Sequence, residues 1–221
     1  MNPINQLNQD GFLLVPEVLP IPECKRLIDL LGPVTGGGRR GLLELPEAAR
    51  VSISTLLLAL IAPHLGKSPR AVRAIYFDKT PESNWSVTFH QDLTIAVAKR
   101  TDVPGFEPWS LKEGVPHVQP PVELLEQMLT VRLHLDDCGE TNGALRLLPG
   151  THTSGRLAAD QIESLRKQVP ETVCTASAGD ALLMRPLLLH ASRKSSVEGH
   201  RRVLHLEYAS GVLPGGLEWH E

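Results

Sequence analysis

Cysteine is scarce in this chain. Cys24, Cys138 and Cys174 make an odd set of three with no CxxC spacing. Neither a disulfide framework nor a Cys-rich zinc site is written into it, and the three read as free thiols in a reducing compartment. Long apolar runs are lacking as well. The longest, Leu56 to Ala62, is stopped by Pro63 and His64, well short of the ~18 residues that span a bilayer. The opening Met1-Asn-Pro-Ile-Asn-Gln6 has neither the basic start nor the apolar stretch of a signal peptide. No run of Lys or Arg occurs, the net charge is −3 and the pI is near 6.3, so nucleic acid is excluded as an electrostatic partner. These absences point to a cytoplasmic enzyme or binding protein with no nucleic acid and no membrane among its partners.

What is present is an ordinary globular composition, 42% hydrophobic and 21% charged over 221 residues. A chain of this length can bury roughly 70–75% of its unfolded surface and needs no staples. It reads as one domain over 1–221, with a mainly helical portion at 1–69 and a strand-rich core at 70–210. In the first portion a strand-like Gly11–Val15 precedes a helix that Pro22 opens and Gly32-Pro33 stops, and a second helix is expected over Pro46–Leu65. Between them, Gly36-Gly-Gly-Arg-Arg40 lacks the Gly-Lys-Ser/Thr ending of a phosphate loop and reads as a mobile turn or lid.

From Arg70 onward the pattern is of strands, at Val72–Phe77, Ser86–Ala98, Met128–Asp136, Ala144–Leu148, Thr172–Ala176, Ala181–Met184, Leu187–His190 and Arg201–Tyr208. One helix, Leu157–Gln168, interrupts them. Short strands separated by turn signals favour an antiparallel sandwich or barrel. The stretch from Thr101 to Pro121, with five prolines and no period, is expected to be an irregular cover over a site.

The chemistry concentrates in His90-Gln91-Asp92. On a strand, residues i and i+2 point to one side, so His90 and Asp92 could grip one metal. Two imidazoles and a carboxylate suit one face of an octahedral Fe(II), leaving positions open. The composition predicts about one His-x-Asp/Glu by chance, and the chain has three, the others being His134-Leu-Asp136 and His205-Leu-Glu207. Asp136-Asp137 runs into Cys-Gly-Glu-Thr-Asn-Gly143, which reads as a hairpin connection in which carboxylates form turns. His205 and Glu207 share a face with Arg201 and Val203 but have no third donor downstream except His220. What favours His90 is His190 at the end of an apolar run, Ser192 two residues on, and Arg201, whose planar fork suits a carboxylate.

In order along the chain come Phe89-His-Gln-Asp-Leu-Thr-Ile95, Arg132-x-His-Leu-Asp-Asp137, Asn142-Gly-Ala-Leu145 and Leu148-Pro-Gly-Thr-His152. Gly179-Asp180, His190-Ala-Ser192 and Arg201-Arg-Val-Leu-His-Leu-Glu-Tyr-Ala209 follow. The series resembles the phytanoyl-CoA dioxygenase family of Fe(II)/2-oxoglutarate-dependent oxygenases, from about Ile75 to Ala209. The resemblance implies a double-stranded β-helix, or jelly roll, flanked by helices. It implies His90, Asp92 and His190 as iron ligands and catalytic residues, with Arg201 and Ser192 holding the distal carboxylate of 2-oxoglutarate. Pro149-Gly150 and Gly179-Asp180 carry over as turns, and His134 as a candidate lining residue of the pocket that binds no metal. The implied reaction uses O2 and 2-oxoglutarate to hydroxylate a small molecule, releasing succinate and CO2. Asn84, Trp85, Phe89 and Lys79 read as structural neighbours of the site, and Trp109 as the one residue of the cover that reaches substrate. A metal-dependent cupin-like enzyme without 2-oxoglutarate and a silent ligand-binding module stay open as rivals. The substrate, its link to any acyl-CoA, and the oligomeric state are not written in the sequence.

Overall fold

The computed structural model describes residues 3–34, 36–66 and 68–220. The elements run α1 (Pro3–Asp10), β1 (Phe12–Val15), α2 (Ile21–Leu31), α3 (Pro46–Ser52), α4 (Thr55–Leu65), β2 (Pro69–Lys79), β3 (Val87–His90) and β4 (Ile95–Ala96). They continue with β5 (Trp109–Lys112), β6 (Val115–Val118), α5 (Val122–Glu126), β7 (Leu129–His134), β8 (Leu145–Leu147) and α6 (Ala159–Gln168). The last are β9 (Thr172–Cys174), β10 (Ala181–Met184), β11 (His190–Ser192) and β12 (Arg201–Ser210). A five-stranded sheet, β1-β10-β7-β12-β2, faces a four-stranded sheet, β3-β11-β8-β9, and β4-β6-β5 form a small third sheet. The pairings are antiparallel. This is the jelly roll, or double-stranded β-helix.

Period-two alternation decides what each face of the large sheet does. One face, with Ala74 and Tyr76, Leu129, Val131 and Leu133, and Leu204 and Leu206, packs on Leu27 and Leu31 of α2, Val51 of α3, and Leu57 and Ile61 of α4. That apolar face is why the N-terminal helices dock here. The opposite residues point between the sheets. Leu182 and Met184 meet Phe12, Leu145, Leu147 and Leu188 there, while Arg132, His134, Arg201, His205 and Glu207 are buried polar groups. On the outer side of the four-stranded sheet, Phe89, Leu148, Leu189 and Ala191 pack against Ile162 and Leu165 of α6.

Five expectations need correcting. The helix expected over Pro46–Leu65 is two helices meeting at a 52° bend. Ile53 ends the first, and the Ser54 hydroxyl accepts from Leu57 N–H and caps the second. No single described helix is long and apolar enough to cross a membrane. The run Ser86–Ala98 is not one strand, because β3 stops at His90. Leu187–Leu189 is not strand either; β11 begins at His190. The segment after β7 is no hairpin, since β7 pairs with β10 and β12 while β8 lies in the other sheet. Lastly, the irregular cover contains β5 and β6, which with β4 make the third sheet.

The turns behave as expected. Gly179 takes φ +95, and a Cβ there would sit 2.3 Å from the Leu19 carbonyl oxygen. Its neighbour Asp180 accepts from Glu17 N–H and Ser177 N–H at 3.0 and 2.8 Å. The glycine segment at 36–40 is tied down at one end, where Arg39 and Tyr76 exchange backbone hydrogen bonds.

Candidate metal centre

His90 and His190 are directly opposed on β3 and β11, with ring centroids 4.2 Å apart. Each imidazole aims its Nδ1–H at a carbonyl two residues back. His90 bonds Thr88 O and His190 bonds Leu188 O, both at 2.9 Å. The carbonyls can only accept, so the lone pair of each ring is at Nε2, and the rings are held in the tautomer a metal needs. Both Nε2 atoms face Asp92, at 3.9 Å from Oδ1 for His90 and 3.7 Å from Oδ2 for His190. The three donor atoms lie within 4.8 Å of one another.

Asp92 reaches this point from a loop. Its N–H donates to Pro186 O at 2.9 Å, and the residue before it does most of the fastening. The buried Gln91 amide donates from Nε2 to Gly155 O and Leu187 O, both at 2.8 Å, and accepts from Leu157 N–H at 2.9 Å. Gln91 therefore points away from the donors and pins the backbone between them. Gln91→Leu should leave three backbone groups without partners and cost about 2–4 kcal/mol. A thermal melt with a parallel metal-affinity titration checks it, and equal stability and affinity in variant and parent would refute it.

The electrostatics suit a cation. Burial opposes charge on Asp92, but His190, His205, His90 and Arg73 outweigh it and hold its pKa at about 2. Burial drives His190 down to about 4 against the pull of Asp92, so its imidazole is neutral at pH 7. Asp92 Oδ2 is buried without a hydrogen-bond partner. A carboxylate and two imidazoles whose Nε2 atoms turn inward form a donor set suited to a divalent cation.

Beside the donors is a cavity of about 100 Å³ lined also by Phe77, Trp85, Arg132, Ser192, Arg201 and His205. It is cationic. Arg201 is 3% exposed and its Nε has no partner; burial lowers its pKa. Arg132, likewise buried, is pushed down to about 10, by burial first and then by Arg201. The fully buried Lys79 is pushed down to about 8 for the same two reasons and donates to Arg193 O at 2.6 Å. Arg132 and Arg201 line the cavity and Lys79 stands beside Arg201 on β2; among the described residues none of the three has a carboxylate in ion-pair contact, so the site suits an anion.

The rival pairs are used otherwise. Asp136 accepts from Arg202 N–H and takes its guanidinium bidentately at 2.7 Å. His134 is buried facing inward, with Nδ1 unpartnered, but does not line the metal cavity; burial, then Arg132, holds its pKa near 3. His205 accepts from Arg132 at Nδ1 (2.9 Å) and bonds Glu207 at Nε2 (3.2 Å), and Glu207 pairs with Arg73. Of the neighbours, Trp85 lines the cavity with Lys79 over its ring, Asn84 ties down Ser195, and Phe89 is core. Trp109 does not reach the cavity; it packs under the third sheet. Arg132 and His205 were the site residues missed. Their alternation with buried apolar neighbours was the available signal.

A family model described as Phytanoyl-CoA dioxygenase (PhyH) matches residues 7–203. The chain belongs to the phytanoyl-CoA dioxygenase family. No curated protein matches this family member by sequence. Among solved structures, AviO1 from Streptomyces viridochromogenes Tue57 is 22% identical, with 96% of this chain and 95% of that one covered at a TM-score of 0.68. HygX from Streptomyces hygroscopicus, solved with nickel and 2-oxoglutarate bound, is 18% identical over 94% and 85% at 0.67. SnoN, a non-heme alpha ketoglutarate dependent epimerase from nogalamycin biosynthesis, is 16% identical over 97% and 89% at 0.69. At these identities the likeness establishes the phytanoyl-CoA dioxygenase-type fold.

Proposed function

We propose that the protein is an Fe(II)- and 2-oxoglutarate-dependent oxygenase that hydroxylates a small molecule, with release of succinate and CO2. The observation that carries this reading is the joining, in one cavity, of a three-donor metal site and buried guanidinium groups that have no carboxylate partner among the described residues. A metal enzyme without 2-oxoglutarate needs the first and has no use for the second.

His90, Asp92 and His190 would hold the iron, which when bound supplies the O2 chemistry that the amino acids lack. The chain's own part is placement. The Thr88 and Leu188 carbonyls fix the imidazole tautomers, and Gln91 fixes the Asp92 backbone. Arg201 would take the distal carboxylate of 2-oxoglutarate with its fork, and Ser192, buried on β11, would add a hydroxyl donor. Arg132 sets a second positive charge beside the same diacid, its orientation held by His205. Burial of these cations removes competing water, which strengthens every contact to the co-substrate. The match of HygX, seen with nickel and 2-oxoglutarate, supports the same assignment.

Anaerobic Fe(II) titration in the presence of 2-oxoglutarate should produce a weak visible charge-transfer band, and admission of O2 should yield succinate. A protein giving neither would not be an oxygenase of this kind.

A further inference from the structure

We propose that the primary substrate is a small organic acid, seated in a second cavity beside the metal centre with its carboxylate on Lys112. This rests on the oxygenase reading above, since it names the class of molecule that such a site would oxidise. The metal cavity, at about 100 Å³, is lined by the groups proposed above to hold the metal and the diacid, which together take it up. The substrate needs other space.

That space lies between β2 and β6, in a cavity of about 190 Å³ with apolar walls from Val72, Ala74, Ala96 and Val115. Its basic groups hold the loop that presents Asp92. Lys112 Nζ donates to Thr94 Oγ1 at 3.0 Å and Arg73 to Thr94 O at 3.3 Å, two residues beyond the metal-binding carboxylate. Arg73 also pairs with Glu207, which bonds His205 of the metal cavity. The linings of the two cavities are thus joined through Glu207.

The charges that line this second cavity pair off except for Glu44 and Lys112, and of these two only Lys112 is withdrawn from solvent. Arg40 pairs with Glu113 and Arg73 with Glu207, and Glu44 is exposed to solvent. Lys112 is half-buried, has the Thr94 hydroxyl as its one hydrogen-bond partner, and has no carboxylate in ion-pair contact among the described residues. Burial first, and then Arg73 and Arg40, lower its pKa against the weaker opposite pull of Glu207 and Asp92. With no carboxylate in contact, the half-buried ammonium is open to a bound one. In the same wall His117 donates Nδ1–H to Val115 O at 3.0 Å, leaving Nε2 as an unused acceptor.

The test titrates the full chain, loaded with redox-inert Ni(II) and with 2-oxoglutarate so that Arg201 is engaged. The probes are hexanoate and its neutral analogue hexanamide, followed by ligand-observed NMR. Hexanoate should bind at least about tenfold more tightly, the yield of one charge-assisted hydrogen bond. Lys112→Met should bring the two within about twofold, and Lys112→Arg, which keeps the charge, should retain the preference. Lys112→Gln is read like the Met variant if that one melts early. Absence of hexanoate binding, equal binding of the two probes, or a preference that survives Lys112→Met overturns the proposal. Failure to take up 2-oxoglutarate at all defeats the oxygenase reading instead, and the same titrations on metal-free protein then score Lys112 by the same outcomes.

Discussion

Replacing Arg201 by alanine should weaken 2-oxoglutarate binding by about 30- to 5,000-fold, from the ~2–5 kcal/mol that truncating one member of a buried charge pair costs. The size of the effect comes from burial. Arg201 is 3% exposed, and its Nε meets no acceptor. It stands opposite Lys79 in the β12–β2 register, with Arg132 nearby. Removing it does not remove all the positive charge, so some affinity should persist through Arg132 and Lys79. What is lost is the planar fork, and Arg201→Lys should therefore recover only part of it. Anaerobic titration of the charge-transfer band reads the affinity directly. A variant that binds 2-oxoglutarate as tightly as the parent would place the carboxylate elsewhere. Activity untouched by Arg201→Ala would favour a cupin-like enzyme that never uses the diacid.

Asp92→Asn should lower Fe(II) affinity by more than about 100-fold and bring succinate formation below about 1% of the parent, since losses beyond the ligand shell alone cost ~10–100-fold. The amide keeps the shape and removes the one negative charge among the three donors. The Nε2 atoms of His190 and His90 would remain but would no longer flank an anion. The depressed pKa of Asp92 means that its carboxylate stabilises the apoprotein at pH 7, so the variant should melt somewhat below the metal-free parent while remaining folded. Fe(II) should raise the melting point of the parent and leave that of the variant unchanged, which separates a metal ligand from a structural aspartate. Undiminished Fe(II) binding by the folded variant would sink the assignment.

Much of this was legible in the chain, though partly for a mistaken reason. Alternation in 129–134 and 201–208 placed two strands of the large sheet and showed that His134, Arg201 and His205 share polar faces. It could not say whether such a face meets water or the interior, and so Arg132 and His205 escaped notice as cavity residues. His90, Asp92 and His190 were found by their residue types and order. The strand geometry offered for His90 and Asp92 fails because β3 ends at His90. Gln91 turns the chain there through three long-range hydrogen bonds, to partners at 155, 157 and 187, and no local pattern encodes those. The bend at Ser54 was missed because the apolar residues on its two sides look continuous. β5 and β6 were missed because Pro108 immediately precedes the one, Pro116 lies within the other, and Leu111 is exposed.

The donors His90 and His190 belong to the four-stranded sheet, while Arg132 and Arg201 belong to the five-stranded one. Facing sheets stand about 10 Å apart, and here the gap is set by Phe12, Leu182 and Met184 against Leu145 and Leu147. The jelly roll is therefore a gauge. A diacid held between metal and guanidinium must match the spacing of the two sheets, and one a methylene shorter or longer would let go at one end. Side chains that touch no reacting atom would then decide which co-substrate length the enzyme accepts.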